Sequence, residues 1–297
     1  MSALAERLRG LRRQAGVAPS LASPRSPIPE ELRRLLGIRL RNLPAATRTH
    51  NIDRDVPGEQ IAPGLHYTEQ TFVVADLPIA IDAGFAGQGR IARERLLHFD
   101  TETTGLAGGT GTRAFMIGAA DWYRGKLRLR QLTTTTLAAE TAMLRHFSSW
   151  IDPGTVLVSY NGKCYDAPLL GTRYRLARME NPLPACLHLD LLHPVRRRWR
   201  GAWENCRLAT VEKQLLGVIR DDDLPGSEAP RAWLDYLRGG SARNLRRVAA
   251  HNAQDLRSLA GLCLHLSALS ERAPSDGKCL PASSAPPPPS RSADGRS

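Results

Sequence analysis

No stretch of the 297-residue chain stays apolar for the roughly 18 residues that a membrane helix needs, so no membrane partner is expected. The opening MSALAERLRGLRRQ has arginines where a secretory signal would have an apolar centre, and the cytoplasm is the expected location. Cysteine is scarce: five residues, Cys164, Cys186, Cys206, Cys263 and Cys279, odd in number and with no Cys-x-x-Cys pair. That excludes a disulfide framework and a zinc ribbon and predicts reduced thiols. Aromatic residues make up only 5% of the chain, and lysine is nearly missing from a total of 41 basic residues. What remains is arginine, which sets a net charge of +12 against 29 acids. Such an excess suits a polyanion such as nucleic acid, although an arginine-biased composition alone would also produce it.

Composition divides the chain into four segments. Residues 1–60 are a basic, proline-punctuated extension, with SPRSPIP as a linker, and 61–92 are a short lead-in with strand character around Thr71–Ala75. Residues 93–270 have the texture of a compact α/β domain, and 271–297 are a Pro/Ser-rich tail expected to be disordered. No internal repeat is visible. Within the domain the pattern predicts strands over Leu96–Asp100, Ala114–Tyr123 and Lys126–Thr133, with a hairpin at Arg124-Gly125. A helix over Leu137–Ile151 follows, then a strand over Thr155–Tyr160, a helix opened by Asp166, and a strand over Leu187–Leu191. Helices near Arg207–Leu216, Arg231–Arg238 and Leu245–Leu269 complete a mixed central sheet flanked by helices, the fold class α/β.

Acids stand where solvent-exposed charge is not expected. Asp100 and Glu102 end the apolar run LLHF, and on a strand positions i and i+2 share a face. Asp166 follows a second apolar strand through SYNGKCYD, where helix capping alone would also explain it. Asp255 falls inside the apolar helical stripe of Leu245, Val248, Leu256, Leu259, Cys263 and Leu266, and His251 sits one turn before it. Facing buried carboxylates repel unless protonated or neutralised, and hard divalent ions, Mg²⁺ or Mn²⁺, are the natural neutralisers. The expected chemistry is that of a two-metal nuclease.

Thr103, Asn161 and Lys163 supply donors suited to a nucleotide. GLAGGTGT over 105–112 lacks the terminal Gly-Lys-Ser/Thr of a phosphate loop and reads as a connection between strands. Arg196-Arg197-Arg198-Trp199-Arg200, with Trp203 and Arg207, is either a nucleic-acid track or a solvated helix face. Asp221–Asp223 reads as an exposed acidic loop, and Asp190 is an outside candidate for the site.

The Asp-x-Glu, Asn-x4-Asp and His-x3-Asp segments resemble the three motifs of DEDD-type 3′–5′ exonucleases with a ribonuclease H-like fold. The strings FDTETTGLAGGTGTRAF, SYNGKCYDAPLL, HLDLLHPVRRRW, DDDLPGSEAP and HNAQDLRSLA resemble the bacterial YprB-type members, over roughly residues 90–270. The resemblance implies that Asp100, Glu102, Asp166 and Asp255 hold two Mg²⁺ or Mn²⁺ ions and that His251 is the general base. It implies a catalytic phosphodiester hydrolase that trims single-stranded DNA or RNA from a 3′ end. The family pattern has Tyr four residues before the last Asp or His five before it; this chain has His at the Tyr spacing. The rival expectations are a binding module without turnover and a structure-specific endonuclease.

Overall fold

The computed structural model describes residues 52–105, 109–220 and 224–272. The tail beyond 272, most of the N-terminal extension, the middle of the glycine-rich connection and the Asp221–Asp223 cluster lie outside the described residues.

Seven strands form one mixed sheet. In chain order they are β1 (Glu59–Ala62), β2 (Leu65–Val73), β5 (Leu96–Thr103), β6 (Ala114–Tyr123), β7 (Lys126–Thr134), β8 (Val156–Ser159) and β9 (Leu187–Asp190). A separate ribbon pairs β3 (Ala80–Asp82) with β4 (Arg90–Ala92). The sheet order is β1-β2-β7-β6-β5-β8-β9. Pairing is antiparallel from β1 through β5 and parallel from β5 through β9. The predicted meander is present, and β6 and β7 are almost continuously buried, as sheet strands covered on both faces must be. Arg124 and Gly125 join them with φ of 51° and 74°, the two positive values that a tight two-residue hairpin turn requires.

The lead-in strand character resolves into β2, which pairs with β7 along nine residues from Leu65↔Thr134 to Val73↔Lys126. Residues 53–62 are also tied to the body. Arg54 donates to the carbonyls of Tyr236 and Gly240 at 3.0 and 2.9 Å and lies over the Tyr236 ring.

Among the described residues six α-helices flank the sheet: α1 (Glu140–Ser148), α2 (Asp166–Leu176), α3 (Leu192–Trp199), the short α4 (Leu208–Val211), α5 (Ala229–Leu237) and α6 (Arg243–Arg272). The helix expected over 137–151 is trimmed at both ends by tighter turns. Leu137–Ala139 is 3₁₀, and the amides of Trp150 and Ile151 reach back three residues to Phe147 and Ser148. The helix expected near 207–216 stops at Val211 and continues as a wider π turn over Glu212–Leu216. Among the described residues no helix is long and apolar enough to cross a membrane.

The sheet separates two cores. Leu96, Val156, Val158 and Leu189 pack with Leu256, Leu259, Leu262, Cys263 and Leu266 of α6. Leu97, Phe99 and Leu157 pack with Met143, Leu144 and Phe147 of α1 and Leu170 and Tyr174 of α2. Alternation along β5 therefore turns Asp100 and Glu102 toward α6, and Thr101 toward α2.

Close approach of α6 to the sheet depends on Gly118 in the middle of β6. A Cβ there would lie 2.1 Å from Asn252 Oδ1 and 2.7 Å from Leu256 Cδ1. Gly118→Ala must push the helix away or displace Asn252, at a cost of about 1–3 kcal/mol, the usual scale of overpacking. A lowered urea midpoint with unchanged slope is the expected readout; an unshifted midpoint would mean that α6 yields freely.

Candidate metal and nucleic-acid site

Four acids from three segments meet at the carboxyl end of β5. Asp100 ends the buried run of that strand, and Glu102, 7% exposed, follows on the same face. Burial pushes the Asp100 carboxyl well above the usual carboxylate range, and the charges of Asp255, Asp166 and Glu102 push it further. An amide offsets part of the rise: Asn252 Nδ2 donates to Asp100 Oδ2 at 2.8 Å.

Asn252 is fully buried on α6 and held in turn by Gln131 of β7, whose Nε2 donates to Asn252 Oδ1 and to the Ala249 carbonyl, each at 2.8 Å. The sequence reading passes over Asn252, although it lies inside HNAQD. The signal was available: a lone glycine in a strand, Gly118, marks a place where another group comes close.

Asp166 arrives from the opposite face of the sheet. It is the first residue of α2, while Tyr165 occupies the capping position and makes no side-chain cap bond. Instead of capping, the Asp166 carboxylate accepts a short hydrogen bond from the Thr101 hydroxyl. Burial raises it to about 6 despite that bond, with the Asp190 charge adding to the rise.

Asp255 sits one helical turn beyond His251 on α6, as the spacing predicts, but its immediate partner is Arg220. The guanidinium binds Asp255 Oδ1 through Nη2, grips Glu212 with Nε and Nη2 at 2.8 and 2.6 Å, and places Nη1 3.0 Å from His251 Nδ1. A guanidinium only donates, so His251 Nδ1 accepts and the ring proton is on Nε2. That nitrogen lies 3.6 Å from Asp255 Oδ2. Burial raises the Asp255 carboxyl, and the charge and hydrogen bond of Arg220 offset part of the rise. Arg220 gives no signal in the sequence, being one arginine among many before an acidic run.

A cleft of about 430 Å³ opens beside the acids, lined by Asp100, Thr101, Thr103, Tyr165, Asp166 and Leu169 among others. Thr103 therefore shares the space with the carboxylates. Asn161 and Lys163 are not among its lining residues: their backbone amides donate to the two oxygens of Asp190, at 2.7 and 3.1 Å. Asp190 also accepts from the Leu192 amide at 3.1 Å, so it shapes the loop and the start of α3. Asn161 turns that loop with a φ of 66°, a conformation asparagine tolerates. The glycine-rich connection is followed by β6 rather than by a helix, and Arg173 of α2 anchors it by donating to the Thr110 carbonyl at 2.8 Å.

Arg196, Arg197, Arg198 and Arg200 are exposed along and after α3. Trp199 and Trp203 stack on each other with ring centroids 4.8 Å apart and pack on the α6 core. The tryptophans thus serve packing, while the arginines face solvent.

Hard oxygen donors crowded around one raised carboxyl fit a divalent cation in chemistry. They do not form a finished cage: among the described residues no group of three or more His, Cys, Asp or Glu side chains is arranged to hold a metal ion. Asn252, Thr101 and Arg220 each hold an oxygen of Asp100, Asp166 and Asp255 respectively.

Sequence comparison finds Bacillus subtilis YprB, an uncharacterised protein, 39% identical over 176 residues. The match covers 59% of this chain and 42% of YprB, so the chain spans less than half of that relative. Among solved structures, the family B DNA polymerase of Pyrobaculum calidifontis overlaps 58% of this chain and 24% of its own, at a TM-score of 0.42 and 15% identity. E. coli exonuclease I in complex with a dT13 oligonucleotide overlaps 50% of this chain and 42% of its own, at 0.34 and 15%. A family model described as RNase_H superfamily matches residues 97–267, the span from β5 through most of α6 that carries all four acids. The chain belongs to the RNase_H superfamily.

Proposed function

We propose that the chain is a divalent-metal-dependent nuclease that hydrolyses phosphodiester bonds of single-stranded DNA or RNA, working from a 3′ end. Superfamily membership supports a nuclease-type hydrolase in general. The observation that carries the finer reading is Asp100, a buried carboxyl surrounded by the charges of three other acids at a strand end beside an open cleft. A carboxyl so placed is costly without a cation.

Asp100, Glu102 and Asp166 would hold Mg²⁺ or Mn²⁺, and Asp255 would join them where its oxygen is released by Arg220. Bound there, divalent ions supply an acidified water and neutralise charge on the phosphate and leaving oxygen. Asn252 and Thr101 hold the carboxylates of Asp100 and Asp166 in place. Thr103 offers a hydroxyl to the terminal nucleotide, with Leu169 and the 57%-exposed Tyr165 as apolar walls. Asn161 and Lys163 are carried on the loop that leads into α2, where their side chains would meet the strand outside the cleft. His251 is the general base, through the Nδ1 lone pair that now faces Arg220. The exposed arginines of α3 fit the phosphates of a longer strand.

The test is release of nucleotides from end-labelled DNA and RNA with Mn²⁺, comparing wild type with Asp100→Asn. Loss of release in the variant supports the reading, and intact substrate with wild type under every divalent ion overturns it.

A further inference from the structure

Arg220 reaches the acids by a specific route. The π turn Glu212–Leu216 ends at Gly217, whose φ of 63° reverses the chain, and Val218 N donates back to the Glu212 carbonyl at 3.2 Å. The segment thereby returns Arg220 to Glu212, eight residues earlier, which is 1% exposed and also accepts from Ser258 of α6. A two-pronged grip on Glu212 would suffice to bury the guanidinium. Yet its outer edge goes further, to Asp255 Oδ1 and His251 Nδ1, the two α6 groups assigned to the chemistry.

We propose that Arg220 is a positioning residue that stands in for a second cation at Asp255, so that the site takes one divalent ion tightly and a second only by displacing the guanidinium. This rests on the nuclease reading above. The geometry divides the acids into two sets. Asp100 is held by the amide of Asn252 and Asp166 by the hydroxyl of Thr101, both neutral, whereas Asp255 already has a full positive charge on one oxygen. A cation approaching Asp255 meets that charge in a low-dielectric setting and must either exclude it or be excluded. A guanidinium is never neutral in a protein, so deprotonation offers no way out. Displacement also frees His251 Nδ1, so the entry of the second ion and the availability of the base are one event.

Mn²⁺ binding to the full chain, without nucleic acid, tests this by calorimetry or by the free-ion paramagnetic signal. Wild type is expected to show one ion bound at least about tenfold more tightly than a second, the scale on which neighbours of ligands alter metal affinity. Arg220→Gln should tighten the second ion by about tenfold and leave the first unchanged. Because that change strands the buried Glu212 charge, the double variant Glu212→Gln/Arg220→Gln is measured beside it and should behave alike. Two equally tight ions in wild type overturn the proposal whatever the variants do, as does a second-ion affinity identical in wild type and either folded variant. Asp100→Asn separates the two levels: if wild type binds no Mn²⁺ beyond what this variant binds, the nuclease reading itself falls.

Discussion

Asp100→Asn should leave a protein that is harder to unfold and does not turn over. The two effects have opposite signs because they share one cause. In wild type the carboxyl is buried against the charges of Asp255, Asp166 and Glu102, which together with burial raise it well above the usual carboxylate range. The amide has the same shape, keeps an oxygen for Asn252 Nδ2, and removes the charge that the other acids repel. Metal-free stability should therefore rise, because a carboxyl raised by burial and neighbouring charge weakens the folded state at neutral pH. The loss in activity should be roughly a thousandfold or greater, because a metal centre supplies several kcal/mol of the barrier reduction. Retention of a tenth of wild-type activity would remove Asp100 from the chemistry. A lower melting temperature at neutral pH would show that its charge is not strained.

A rise of melting temperature with Mn²⁺ is the second large effect, and it needs no substrate. A ligand that binds only the folded state stabilises by about 2.7 kcal/mol at a hundred times its dissociation constant. For a body of this size that corresponds to about 5–10 °C. The shift should depend on pH in a defined direction. Asp166 is raised from 3.8 to about 6, so the folded chain binds more protons than the unfolded chain between those values. Stability from this group is full below about pH 4 and is lost as pH rises through about 6, and Asp100, also raised, adds a loss of the same sign. Metal-free protein should therefore weaken across that range while the metal-induced shift grows. A shift independent of pH, or one that persists in Asp100→Asn, would place the bound ion elsewhere.

The fold was legible where burial is continuous. Ala114–Tyr123 carries apolar or small residues at nearly every position, and the predicted and observed strands have the same ends. The lead-in was less legible. Leu65–Val73 alternates weakly because it lies toward the edge of the sheet, and only its pairing with β7 shows where it belongs. At the site, the acids were readable because a charge interrupts an apolar pattern locally. Their partners were not, since Asn252 reaches Asp100 across 152 positions and Arg220 meets Asp255 across 35. Local pattern carries no record of such meetings. At Asn161 and Lys163 residue type suggests side-chain donors for a substrate, and it gives no hint that their backbone amides hold Asp190.

Asp166 belongs to the layer of α1 and α2, and Asp255 to the layer of α6, with the sheet between them. Neither helical layer carries all four acids of the proposed site. A chain that had regained its helices but not its tight side-chain packing would keep its far-ultraviolet dichroism and yet be unable to capture an ion. Cation uptake during refolding would then time the docking of the two layers, as a signal separate from the growth of secondary structure.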